Sequence, residues 1–238
     1  MARRINISLA VLAIVAALVM FASSGEPVIP VLRDTSLGSW LQSLGHTNTI
    51  AFNLAVGYLV SGIFWLLVVY LPDQARRSVL RDNLSRSYQR FKESALQILL
   101  WCSIGTHDSR LPEELCDHRR FKEFFEADKS ARWYAAMNGL QGSEIRMHEL
   151  VLELEIFADE LGYILNNSNI QDAKVHRLFK VLKENIYRLN RSRDYTDDQV
   201  KYVGRFLWEV LARWSFVDGQ RDNDIIQETI ELLSVVSG

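Results

Sequence analysis

Cysteine and proline are scarce, two and four residues in a chain of 238. Two thiols cannot build a disulfide framework. So little proline in a chain that is 48% apolar argues against a disordered polypeptide. Net charge is nearly absent too, at −2, which removes any global electrostatic case for nucleic acid. Ionisable residues are missing altogether from two long stretches, Ile5 to Ala22 and Ile50 to Leu71. The mean hydropathy of −0.02 therefore averages two unlike parts. Nearly every long uncharged apolar run precedes Leu71, and most of the charge follows it, which is not the pattern of a plain soluble globule.

Wound as helices, the two stretches are about 27 Å and about 33 Å long, close to the ~30 Å hydrocarbon layer of a bilayer. Backbone polar groups in lipid must be satisfied internally, so both are expected to be transmembrane helices. The first has a second reading. Arg3 and Arg4, an apolar run and then Ala22-Ser23-Ser24 also fit a signal peptide with a small-residue cleavage site. The run exceeds the ~7–15-residue core usual for such peptides, which favours a retained helix. Arg3 and Arg4 precede the first span; Arg76, Arg77, Arg81, Arg86, Arg90 and Lys92 follow the second; the segment between them carries only Arg33. The positive-inside rule then puts both termini in the cytosol and residues 23–49 outside, in a membrane of the bacterial inner-membrane type. Ala13 with Ala17, and Gly57 with Ser61, have the small-residue spacing that permits close helix approach. Packing of the two spans on each other is the plainer use of it, homo-oligomerisation the sharper one. In the external segment Leu37, Trp40, Leu41 and Leu44 mark a short interfacial helix. Trp40, Trp65 and Tyr70 are the expected interfacial aromatics. Arg76, Arg77, Arg81 and Arg86 are the expected contacts with a charged membrane surface, although a cluster there is also the ordinary topology signal.

From residue 72 onward the apolar positions step in threes and fours, so the expected fold class is all-α: two transmembrane helices followed by a cytosolic bundle of about six helices. The parts are residues 1–22, 23–49, 50–71 and 72–238. The first bundle helix carries Leu80, Leu84, Tyr88, Phe91, Ala95, Leu99 and Cys102 on one stripe and stops at Gly105. It is expected to continue the second span, bent at most at Pro72. The next, about 116–138, should bury Phe121, Phe124, Phe125, Ala131, Tyr134 and Ala135 and end at Gly139 and Gly142. The third, 143–165, has a coiled-coil-like seam of Met147, Leu150, Leu154, Phe157, Leu161 and Ile164. Leu152, Ile156 and Tyr163 add a second apolar side, which places this helix at the centre of the bundle. Helices at about 170–190, 196–217 and 223–236 follow, and no sheet is expected. The third helix is acidic and the fourth basic, so they should pair as antiparallel neighbours. The basic face is a weaker candidate for nucleic acid or an acidic protein.

The sequence carries no phosphate-binding glycine loop and no dinucleotide fingerprint. His148-Glu149 begins like a zinc-protease motif, but Leu152 stands where the second histidine belongs. Cys102, His107, Cys116 and His118 form a weak candidate for a zinc site, with spacing unlike the compact knuckles. Trp101, Trp133, Tyr134, Trp208 and Trp214 are a candidate aromatic surface, competing with a role in the core. No cofactor and no enzymatic activity are expected. The expected function is a membrane-anchored helical interaction or sensing module, with the lipid bilayer, a cytosolic protein and a second copy of the chain as partners. The alternatives are a two-span effector that oligomerises and perturbs the bilayer on a cytosolic signal, and an enzyme with an unrecognised site.

Overall fold

The computed structural model describes residues 2–23, 49–168, 170, 172–191, 195–215 and 219–235. Those residues are helical almost throughout: α1 (Ala2–Ser23), α2 (Thr49–Trp65), a π turn (Leu66–Tyr70), α3 (Leu71–Ser103), α4 (Leu111–Leu115), α5 (His118–Gln141), α6 (Glu144–Asn167), α7 (Ala173–Asn190), α8 (Asp197–Leu211) and α9 (Ile225–Val235). The chain forms two compact units, one of Met1–Arg76 with Val235–Gly238 and one of Arg77–Ser234.

In the first unit α1 packs along α2. Ala13 lines the cleft between them with Tyr58, Gly62 and Leu66. Gly57 has open space where a side chain would begin, and both Gly57 and Ser61 are exposed. Among the described residues one helical run, Thr49–Ser103, is long and apolar enough to cross a membrane, and only 6% of its apolar window is buried. Val11–Phe21 in α1 is apolar but shorter. The π turn lies just before Pro72. Proline lacks the N–H that an α-turn would require of it, and the Leu71 N–H reaches back to the Leu66 carbonyl instead. The π turn thus lies where the missing proline N–H interrupts the α-helical ladder.

The second unit is a bundle around one core. The stripe of α3 is buried as its spacing predicts, from Leu80 and Leu84 to Leu99. Gly105 closes that helix at φ +73°, its N–H returning to the Leu100 carbonyl, a conformation that glycine adopts without penalty. The six seam residues of α6 are all buried, and Phe157 stacks on Phe91 of α3 with ring centroids 4.9 Å apart. Asp117, Ser143 and Asp172 cap α5, α6 and α7 by accepting backbone N–H groups of the first turn. The Thr196 N–H donates to Gln199 Oε1 at 2.9 Å, half of the capping box at the start of α8. α6 and α7 pair as their charges suggest. Lys183 bonds Asp159, and Asn190 Nδ2 donates to Glu155 Oε2 at 3.1 Å. Gly162 lets the Phe179 ring approach the α6 backbone.

Five expectations are corrected. α4 forms between the helices expected to end at Gly105 and to begin at about residue 116, where no helix was expected, with Pro112 in its first turn. α5 is broken at Ala127–Ser130, where Asp128, Lys129 and Ser130 have φ of 53°, 56° and 66°. The break resets the helical phase, so Ala136 and Leu140 are buried while Tyr134 is 64% exposed. Gly139 does not stop α5. It lies within it, where a Cβ would be 2.5 Å from the Cys102 carbonyl oxygen, and so sets the close approach of α3 and α5. α8 ends at Leu211, not near Val217, because Arg213 turns left-handed at φ 51° and the chain enters a small antiparallel ribbon, Trp214–Ser215 with Gly219–Gln220. Val217 itself lies outside the described residues. Last, the second apolar side of α6 is not buried. Leu152, Ile156 and Tyr163 are 49%, 52% and 54% exposed.

The seam register yields a paired test. Leu154→Asp puts an unpaired carboxylate into the core at a cost of several kcal/mol, against a domain stability of ~5–15 kcal/mol. Glu155→Ala removes one surface hydrogen bond, worth about 1 kcal/mol. Denaturant titration of the two purified variants should show the first collapsed and the second near wild type. Equal tolerance would place the seam in the wrong register.

Candidate functional site

The largest apolar concavity to involve the expected aromatics lies between the second half of α5 and α8, with a volume of about 860 Å³. Trp133, Tyr134 and Met137 line one wall; Val200, Tyr202, Gly204 and Trp208 line the other. Its floor is an aromatic cluster. Trp133 meets Trp208 edge to face with centroids 4.8 Å apart, and Phe121 lies 5.4 Å from Trp208. The rim carries Asp197, Asp198, Lys201 and Arg205. The groove exists because Gly204 admits the Met137 sulfur against the α8 backbone, and because the break in α5 turns Trp133 inward. That volume is within the range of small-molecule sites. Of the five aromatics singled out from the sequence, Trp133, Tyr134 and Trp208 share this groove. Trp101 instead stands 42% exposed, beneath the Arg146 guanidinium. Trp214 lies in the ribbon under Lys122 Nζ, 5.1 Å from the ring centroid.

The four zinc candidates are not brought together. Among the described residues no three His, Cys, Asp or Glu side chains are grouped to hold a metal ion. Cys102 packs against Gly139. The Cys116 thiol donates to the Pro112 carbonyl at 3.4 Å. His107 has Nδ1 2.9 Å from the Gly105 carbonyl oxygen, and His118 begins α5. Burial raises the pKa of both thiols, which keeps them protonated and weakens them as ligands or nucleophiles. Burial lowers that of His118, helped by Arg213.

Arg81 pairs with Asp82 at 3.0 Å, and Arg86 bonds Asn83 Oδ1 at 2.8 Å. Both thus lie along the surface of α3, as Arg76 and Arg77 do one turn earlier. Trp65 precedes the π turn and Tyr70 ends it, with ring centroids 5.5 Å apart. Trp40 and its expected interfacial helix lie outside the described residues.

One buried polar pair had no signal in the sequence. Asp224 is 4% exposed. It accepts the Tyr88 hydroxyl at 2.8 Å and the N–H groups of Ile226 and Gln227 at 2.9 and 3.0 Å, so it caps α9 from inside the bundle. Burial raises the pKa of Asp224, the three hydrogen bonds and Lys92 opposing it. Burial and the carboxylate raise that of Tyr88 well above its usual value. A folded pKa above the unfolded one means that the native state holds the proton longer. Asp224 therefore favours folding most at low pH, and this contribution falls as pH rises from about 4 toward its raised value. Asp224→Asn keeps a capping oxygen and removes the titration. The decline in stability from about pH 4 upward should flatten in that variant when denaturation midpoints are measured across pH. An unchanged slope would mean that Asp224 is ionised normally.

Compared with protein-family descriptions, curated proteins and solved structures, the chain matches none.

Proposed function

We propose that the chain is a membrane-anchored helical interaction module without catalytic activity. In this reading α1 and α2 form a transmembrane hairpin, both termini are cytosolic, residues 23–49 are external, and the bundle from residue 72 onward meets a cytosolic protein. The observation that carries it is the exposure of the apolar stretch. Ile50 and Leu54 are 73% and 71% exposed, and Phe64, Leu67 and Val68 are also exposed. A core helix of a soluble protein would be mostly buried. These side chains gain their burial, about 25 cal/mol per Å² of apolar surface, only if lipid or a partner covers them. The two arginines in the first turn of α1 and the cluster after the second apolar stretch support the orientation. The reading is checked with reporters. One fused after Gly238 should be active only in its cytosolic form, and one inserted near Gly25 only in its external form; the reverse pattern would invert the topology. N-terminal sequencing that began at Gly25 would instead identify the first stretch as a cleaved signal peptide.

The second reading is a membrane effector, favoured by one observation: the helical run from Thr49 to Ser103 contains no coil between the apolar stretch and the helix that enters the core. A helix of that kind can transmit torque, whereas a flexible linker only tethers. Strong expression should then depolarise cells. Gly57→Leu with Ser61→Leu should relieve the effect, since Gly57 has room for a side chain within the hairpin. Membrane potential that stays constant under strong expression would remove this reading.

A further inference from the structure

The exposed side of α6 is a regular row. Ile145, Glu149, Leu152, Ile156, Asp159 and Tyr163 follow one another in steps of four, three, four, three and four, so they share one outer face about 27 Å long. The four apolar members are 49–72% exposed, with Ile145 the most. A row of this kind would be expected at the centre of a bundle or at an interface. Its flanks are acidic. Glu153 and Glu160 adjoin it, and neither has a cation within ion-pair distance among the described residues. The neighbouring helix has the opposite character. Arg177, Lys180, Glu184, Tyr187 and Arg191 form the corresponding outer row of α7, with Tyr187 55% exposed and the Arg191 guanidinium 4.2 Å from its ring centroid. Within the chain Glu149 and Asp159 of the α6 row are paired with Arg146 and Lys183, and Glu184 of the α7 row with Arg188, so the charge offered outward is that of Glu153 and Glu160 beside the α6 row and of Arg177, Lys180 and Arg191 on the α7 side. The bonds from Lys183 to Asp159 and from Asn190 to Glu155 run between the two helices, so both rows stand on the same outer side of the pair.

We infer that this face binds a second copy of the chain, with α6 of each copy laid antiparallel on α7 of the other. A two-fold axis parallel to the helices brings acidic row onto basic row twice, an isologous arrangement that closes at two copies. Pairing α6 with α6 would oppose carboxylates, which charge complementarity forbids. An anionic membrane surface is excluded as occupant by the same acidic row. The inference rests on the interaction-module reading and names the partner. The two fail separately, because reporter topology tests the anchor and subunit mass tests this face.

The full chain in detergent or nanodiscs, followed by light scattering and sedimentation, should be dimeric at low salt and dissociate as salt rises. Glu153→Lys with Glu160→Lys should raise the dimer dissociation constant by roughly tenfold or more. Adding Lys180→Glu and Arg191→Glu should restore it, since these residues stand nearest in height to Glu160 and Glu153, all four positions are on the surface, and the charges are merely exchanged. Ile156→Ser should weaken the dimer without moving the thermal midpoint of the bundle. Cysteines placed at Ile156 and Tyr187, which the two-fold axis puts at the same height, should cross-link to each other on two differently tagged copies in membranes. The inference is overturned by a monomer at tens of micromolar, by a dimer indifferent to the charge reversals, by cross-links joining Ile156 to Ile156, or by a monomeric chain whose acidic row captures a different basic protein.

Discussion

Asp224 brings a carboxylate to a place that water does not reach, and the bundle tolerates it only because every lone-pair direction of use is answered. Two backbone N–H groups of α9 and the Tyr88 hydroxyl converge on it. Tyr88 in turn lies on the apolar stripe of α3 with its ring 5.7 Å from Phe157, itself stacked on Phe91. One side chain therefore joins the first helix of the bundle to its central seam and to its last helix. Apolar packing resists a slip of one helix along another through shape alone. A buried hydrogen bond with a fixed acceptor adds to that resistance, since a slip leaves an unpaired carboxylate at a cost of ~1–3 kcal/mol or more. The ends of the chain that forms the bundle are thus held in register by chemistry as well as by volume.

Most of this architecture was legible in the sequence because it repeats. Stripes that step in threes and fours specify a helix and its buried side together: the seam of α6 is buried residue for residue, and the stripe of α3 is buried from Leu80 to Leu99, with Cys102 half-buried. What was not legible does not repeat. The break in α5 contains no glycine or proline, and nothing in Ala127-Asp128-Lys129-Ser130 announces a left-handed turn. Once it occurs, every later face assignment on that helix shifts, which is why Tyr134 was placed inside and is found outside. Trp214 fits the spacing of α8 yet belongs to a ribbon, since spacing cannot say where a helix ends. The Tyr88–Asp224 bond joins residues 136 positions apart, and a single tyrosine on an apolar stripe reads as core.

The candidate sites divide in the same way. Trp133, Tyr134 and Trp208 were grouped as aromatic residues and do share a groove, but what brings them together is the break in α5 and the bare backbone at Gly204. The thiols and imidazoles near residue 110 were grouped by proximity in sequence. They are not brought together, because Cys102 is in α3, Cys116 caps the end of α4 and His118 begins α5, and only His107 lies in the turn between α3 and α4. Leu152, Ile156 and Tyr163 were read as core since a helix apolar on two sides is commonly central. Here the second side faces outward, and the hydrophobic pattern records an intended contact without saying whether it lies within one chain or between two.

The left-handed run in α5 has a mechanical meaning. Asp128, Lys129 and Ser130 each sit where a side chain crowds the following carbonyl, a cost of roughly 1–2 kcal/mol per residue. They are held from one side by Arg132, whose guanidinium donates to the Phe124 carbonyl at 3.2 Å and covers the Phe124 ring. Ser130 is also part of the wall of the aromatic groove. The mouth of the groove therefore holds backbone strain against the Arg132 contacts, and opening there costs less than its lost contacts alone would imply.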